Sequence, residues 1–196
     1  CCFNHTYKIE PQIFTVWMEI LANVPSSVLW LFSRVAEAEV NLRREAKARG
    51  IEGDRLIFAH LEPKSEHLAR HQLADLFIDT LYYNAHTTGS DALWAGLPII
   101  TCLGETFPSR FGASLLTTIG LPELITKNLE EYKNLAVNLA KSPDKLHEIK
   151  QKLAQNRLTY PLFDTLRFTR NLEKAYRTMW DVYAAGKSPE MIRIAN

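Results

Sequence analysis

The feature that most limits the fold is a repeated alternation along the chain, in which short apolar runs are separated by amphipathic stretches. An apolar run without polar alternation suits a strand buried on both faces, and such strands belong to parallel sheets covered by helices. Strands are predicted at Cys1–Phe3, Ser27–Phe32, Arg55–Ala59, Leu76–Thr80, Pro98–Cys102 and Leu124–Thr126. Helices are predicted at Pro11–Val24, Glu37–Arg49, Lys64–Leu73, Thr87–Ala95, Phe107–Ile119, Asn128–Ala140, Pro143–Asn156 and Phe168–Ala185. Gly50, Gly96 and Gly120 stand where three of these helices should stop. The expected fold class is α/β: a Rossmann-like parallel sheet with helices on both faces and right-handed crossovers. Trp17, Trp30, Trp94 and Trp180 are assigned to packing.

A chain of 196 residues suits one such domain. Its net charge of +1 lacks the basic excess of a non-specific nucleic-acid binder, so no nucleic-acid partner is expected. No apolar run approaches the roughly 20 residues that span a bilayer, and no signal peptide is visible. Cys1, Cys2 and Cys102 fit neither a disulfide framework nor a zinc knuckle, and read as reduced, buried residues of a cytoplasmic protein. The abrupt start at Cys1 suggests a fragment of a longer polypeptide, and residues 155–196 are expected to form a helical tail.

In a parallel sheet, ligands bind beyond the carboxyl ends of the strands. Four of the six His (His5, His60, His67 and His86) fall at those ends, with Lys8, Lys64 and Arg70. A nearly neutral chain has thus gathered cationic and hydrogen-bonding groups at one edge, as an anion such as a diphosphate needs. His86-Thr87-Thr88-Gly89 lies between a buried strand and a helix start. Free amides and the positive dipole end of that helix favour a phosphate, Thr87 and Thr88 add hydroxyls, and Gly89 leaves room for close approach. Asp91 follows, placed to accept from a ribose hydroxyl. Thr and Asp are also ordinary capping residues, so capping remains open for this segment. Glu105 is a weaker candidate, either catalytic or part of a turn. Phosphate loops of the Gly-x-x-x-x-Gly-Lys-Ser/Thr type, Gly-x-Gly-x-x-Gly, His-Glu-x-x-His and Gly-x-Ser-x-Gly are absent.

Several segments together resemble one family. They are Phe3-Asn4-x-x-Tyr7-Lys8, Pro63-Lys64-x-Glu66-His67-x-x-Arg70, Leu76-Phe77-Ile78-Asp79-Thr80, and Asn84-Ala85-His86-Thr87-Thr88-Gly89-x-Asp91-x-Leu93-Trp94-x-Gly96-x-Pro98. Thr101-x-x-Gly104-Glu105-Thr106 and Met179-Trp180-x-x-Tyr183-Ala184-Ala185-Gly186 complete the set. In this order they resemble the C-terminal catalytic lobe of the protein O-GlcNAc transferase and SPINDLY family over essentially the whole chain. The resemblance implies the C-terminal lobe of a GT-B glycosyltransferase. It implies inverting, metal-free transfer of N-acetylglucosamine from UDP-GlcNAc to Ser or Thr hydroxyls of proteins.

The resemblance also implies roles. Lys8 is the essential lysine on the diphosphate, and His86, Thr87 and Thr88 form the phosphate turn. Lys64 and Asp91 contact the ribose, His67 stacks on uracil, Arg70 contacts the base, and Glu62 acts through its backbone. His5 stands where the family often has Gln, at a phosphate contact it can still serve as a donor. The SPINDLY branch, which uses GDP-fucose, lacks the His of this turn, so His86 favours the UDP-sugar branch. A non-catalytic nucleotide-binding module is the remaining alternative, and intact Lys8 and His86 argue against it. The family's N-terminal lobe and tetratricopeptide repeats are implied partners, without which this chain is expected to be inactive.

Overall fold

The computed structural model describes residues 1–194. In chain order its helices and strands are α1 (Pro11–Asn23), β1 (Leu29–Phe32), α2 (Ala36–Ala48), β2 (Leu56–Ala59), α3 (Lys64–Arg70), β3 (Phe77–Ile78), α4 (Thr87–Trp94), β4 (Ile99–Cys102), α5 (Phe111–Thr118), β5 (Ile125–Thr126), α6 (Leu129–Ala140), α7 (Pro143–Thr159) and α8 (Thr165–Ala184). All strand pairs are parallel. Leu29 to Phe32 face Leu56 to Ala59, Phe77 and Ile78 face Ile99 and Ile100, and Thr101 and Cys102 face Ile125 and Thr126.

The first predicted strand is reduced to a single bridge, Cys2 to Leu31. It nonetheless joins the two halves of the sheet. The Cys2 amide donates to Trp30 O (2.9 Å), Phe32 N donates to Cys2 O (3.2 Å), and Ile78 N donates to Cys1 O (2.8 Å). With that segment in the centre the spatial order becomes β2, β1, residues 1–3, β3, β4, β5. In chain rank this is 3-2-1-4-5-6, the doubly wound order whose crevice opens at the central switch point.

The Rossmann-like expectation holds, with local corrections. β3 is two residues long because Asp79 and Thr80 turn out of the sheet after Asp79 N donates to Ile100 O. The predicted helix Phe107–Ile119 splits at Arg110 into a 3-10 turn, Phe107–Ser109, and α5. Pro108 supplies no amide, and Thr106 and Ser109 cap each other reciprocally. α3 likewise ends at Arg70 and continues as a 3-10 turn, His71–Leu73. Gly50, Gly96 and Gly120 have φ of +78°, +88° and +76°, the left-handed helix stops foreseen for them.

Sequence pattern explains the packing. α1 starts at Glu10, whose carboxylate accepts from the amides of Gln12 and Ile13, with Pro11 in the first turn. It buries Ile13, Trp17, Ile20 and Leu21, and the Trp17 indole donates to the Tyr132 hydroxyl on α6 (3.3 Å). Tyr132 in turn donates to Asp79 O (2.9 Å), fixing both helices to the end of β3. Leu31, Leu56 and Ile100 are wholly buried on the strands, each contributing about 2 kcal/mol.

Two tryptophans depart from the packing role given them. Trp94 is 47% exposed and Trp180 66% exposed. α7 runs unbroken through residue 155. α8 buries none of its residues, and Phe168, Leu172, Tyr176, Met179, Trp180 and Tyr183 form an exposed stripe at helical spacing. No helix among the described residues is long and apolar enough to cross a membrane.

Candidate functional site

The crevice at the switch point is built from the chain just after Phe3 and the chain just after β3. Lys8 sits in a 3-10 turn, Thr6–Lys8. Its ammonium donates to Asn84 O (3.0 Å) and lies 3.8 Å from the centre of the Tyr83 ring. Partial burial lowers the Lys8 pKa, opposed by the charge of Asp79. Tyr83 in turn meets the His86 ring edge-on at 5.0 Å, so Lys8, Tyr83 and His86 form one continuous wall.

His86 is the N-cap of α4 but does not cap it with its side chain. Its ring stacks on Phe111 at 4.0 Å, and its Nε2 is buried with no hydrogen-bond partner. Burial, then the nearby Lys8 charge, lower its pKa and so favour the neutral ring. Gly89 and Ser90 donate their amides to His86 O. The amides of Thr87 and Thr88, at the first two helical positions, have no intrahelical acceptor and remain for an anion.

Two features of this turn differ from expectation. Thr88 donates its hydroxyl proton to Asn4 Oδ1 (2.5 Å), so its contribution to an anion is the amide rather than the hydroxyl. Gly89 is buried, and a Cβ there would meet Leu115 (3.0 Å), Ala85 (3.2 Å) and Ile99 (3.5 Å). Its missing side chain therefore lets α4 lie close on the core and gives no access to a phosphate.

The other end of the crevice is a second cluster. Lys64 pairs with Asp91 at 2.5 Å, and His67 Nε2 lies 3.7 Å from the same carboxylate. Arg70 donates to His60 O (2.8 Å) and to His67 Nδ1 (2.5 Å), with its guanidinium 4.6 Å from the Phe3 ring centre. Burial and then Arg70 lower the His67 pKa. Glu62 is exposed, and its side chain acts on this cluster only as a charge near Arg70. His5 is exposed, stacked on Tyr7 at 5.6 Å and edge-on to Phe32 at 5.3 Å. His60 leaves the group, because its ring turns toward Ser33 O (3.4 Å) and Glu39 (3.9 Å). Glu105 is exposed in the turn before the Thr106 cap.

Sequence reasoning gave no role to the residues beneath the crevice. Asp79 is 1% exposed and accepts four hydrogen bonds. Asn4 (3.2 Å), the Thr80 amide (2.8 Å) and the Ala85 amide (2.7 Å) reach Oδ1, and the Thr101 hydroxyl (2.8 Å) reaches Oδ2. Desolvation outweighs these bonds and raises its pKa to about 6. His71, wholly buried behind His67, donates from Nδ1 to His67 O (2.6 Å), and burial lowers its pKa to about 4. The signal for Asp79 was a carboxylate closing an apolar run; for His71 there was none. All three cysteines are free, and burial raises Cys2 to about 12 and Cys102 in the same direction, so neither of these two thiols is activated.

The profile described as "Glycosyl transferase family 41" matches residues 1–172. The chain belongs to glycosyltransferase family 41. Within that family it is 43% identical to an Arabidopsis thaliana protein named "Probable UDP-N-acetylglucosamine--peptide N-acetylglucosaminyltransferase SEC", across 98% of this chain and 20% of that protein. It is 38% identical to a Caenorhabditis elegans UDP-N-acetylglucosamine–peptide N-acetylglucosaminyltransferase, across 95% and 16% of the two chains. A Hordeum vulgare protein named "Probable UDP-N-acetylglucosamine--peptide N-acetylglucosaminyltransferase SPINDLY" is 33% identical across 98% and 21% of the two chains. Among solved structures, a mutant Thermobaculum terrenum O-GlcNAc transferase superposes with a TM-score of 0.87 at 33% identity, covering 91% of this chain and 35% of that one. The family-41 chain thus spans about a fifth of the length of the curated relatives it matches.

Proposed function

We propose that this chain is the UDP-binding lobe of a protein O-GlcNAc transferase, the C-terminal lobe of a GT-B enzyme. The observation that carries this is the crevice at the switch point, where the Lys8 ammonium stands in one wall with the α4 amides of Thr87 and Thr88. An acceptor Ser or Thr hydroxyl attacks the anomeric carbon from the face opposite the diphosphate. The new glycosidic bond forms as the bond from the anomeric carbon to the β-phosphate oxygen breaks, the hydroxyl proton passes to water, UDP departs, and the configuration inverts. Negative charge grows on the departing phosphate, and a cation with two fixed dipoles stabilises it more than the ground state, without a metal.

The second cluster takes the nucleoside. Lys64 and Asp91 meet the ribose, His67 offers its face to uracil, and Arg70 with the Glu62 backbone borders the base. His5 reaches the phosphates from the rim. The apolar stripe of α8 is the surface against which the N-terminal lobe packs, while the tetratricopeptide repeats lie farther out and gather the acceptor proteins. The enzyme is placed in the cytoplasm.

The test is calorimetric titration of the full-length protein with UDP, UDP-GlcNAc and GDP. UDP and UDP-GlcNAc should bind at least ~10-fold tighter than GDP, the scale of a matched base edge. Equal or tighter binding of GDP transfers the assignment to GDP-fucose and protein O-fucosylation. Binding of none of the three leaves a non-catalytic module.

A further inference from the structure

The two arms of the crevice, residues 4–8 and residues 80–88, come from distant parts of the chain. Asn4 bridges them. Asn4 Nδ2 donates to Asp79 Oδ1 (3.2 Å) and to Thr80 Oγ1 (2.8 Å), while Asn4 Oδ1 accepts from Thr88 Oγ1 (2.5 Å). Asn4 is itself 1% exposed. Asp79 Oδ1 holds the Thr80 and Ala85 amides, which bracket the turn leading to His86. Asn84 closes the turn from its other side, donating to Thr80 O (2.7 Å) and accepting from the Gly112 amide (3.2 Å). Gly112 lies so close that a Cβ would meet both Asp79 Oδ2 and Thr101 Oγ1 at 2.6 Å. The carbonyl of Asn84 is also the one that holds Lys8.

We propose that Asp79, acting through Asn4, is a positioning residue: it sets the distance between the Lys8 arm and the Thr87–Thr88 arm, and thereby the fit of the crevice to a diphosphate. Asp79 touches no ligand in this scheme. It acts as a shaped acceptor, because three donors converge on one oxygen and fix where the turn begins. The inference rests on the diphosphate assignment of the crevice.

The geometry separates this role from that of a charge. An Asn at position 79 keeps an oxygen for the three donors at Oδ1, and its amide can donate to Thr101 Oγ1, which turns from donor to acceptor. An Ala provides neither. In the full-length protein titrated with UDP, Asp79→Asn should bind within about 3-fold of the unaltered protein. Asp79→Ala should weaken UDP by about 30-fold, the scale on which a small misplacement is felt. Asn4→Ala, which removes the bridge but leaves Asp79 and its three other donors, should weaken UDP by about 10-fold.

Stoichiometry distinguishes positioning from stability. A merely structural role lowers the number of binding sites per chain and leaves the dissociation constant of the remainder unchanged. Positioning raises the dissociation constant at full stoichiometry. If Asp79→Ala does not fold, Asn4→Ala decides. UDP binding by Asn4→Ala, or by a folded Asp79→Ala, within 2-fold of the unaltered protein overturns the inference. So does loss of sites at constant affinity, or an Asp79→Asn as weak as Asp79→Ala. If the unaltered protein does not bind UDP, the diphosphate assignment itself fails.

Discussion

The crevice and helix α8 carry opposite signatures. Beneath the crevice, Asn4, Asp79, Thr80, Asn84 and Thr101 are buried polar groups, and each has hydrogen-bond partners. On α8, large apolar side chains stand exposed and none is buried. A satisfied polar network specifies one local geometry. A contiguous apolar face marks a surface meant for a partner. One region is complete within this chain, whereas the other leaves an apolar face uncovered.

Four substitutions break or sharpen that contrast. On the proposed reading, Lys8→Ala in the full-length protein should lower kcat/KM for transfer on the order of 10³-fold, because the proposal makes Lys8 the cation facing the leaving diphosphate. Circular dichroism should show the fold intact, because Lys8 is only partly buried and makes one hydrogen bond. Near-normal turnover would remove Lys8 from the chemistry.

The next effect belongs to α8. Trp180→Ala should destabilise the full-length protein by about 3 kcal/mol in urea unfolding, the cost of emptying a buried aromatic site. In the 196-residue chain, where the indole is 66% exposed, the same change should be silent. A silent change in both would mean that α8 faces solvent in the whole protein.

The smallest effect is in pH dependence. Asp79 has its folded pKa raised from 3.8 to about 6, so its contribution to stability is present below pH 4 and is lost as pH rises through 6. The span corresponds to at most about 3 kcal/mol. His71 is depressed from 6.5 to about 4, so its contribution is present above pH 6.5 and is lost as pH falls through 4. The two oppose each other across one window. Relative to the unaltered protein, Asp79→Asn should gain stability from pH 4 to 6, and His71→Gln should lose it by a comparable amount. Parallel melting curves for all three proteins across that range would refute both assignments.

Much of this was legible in the amino-acid order. Period and punctuation located every helix within a few residues, because apolar runs, Pro11, and Gly50, Gly96 and Gly120 act locally. The concentration of Lys8, Lys64, His67, Arg70, His86 and Asp91 at strand ends was legible too, since sheet topology fixes which end of a strand faces the crevice. His60 misled because its ring orientation depends on Glu39, distant in sequence.

The sequence by itself determined the fold class, the edge of the sheet that carries the cationic groups, and membership in family 41. Only the tertiary structure decided what each group at that edge faces. Thr88 and Gly89 read as a phosphate loop, yet one hydroxyl is spent on Asn4 and one missing side chain serves the core. Trp94 and Trp180 read as packing, yet both stand exposed. Local pattern follows from the backbone's own periodicity. Partnership depends on contacts between segments far apart along the chain, such as Asn4 with Asp79, and no local pattern encodes those.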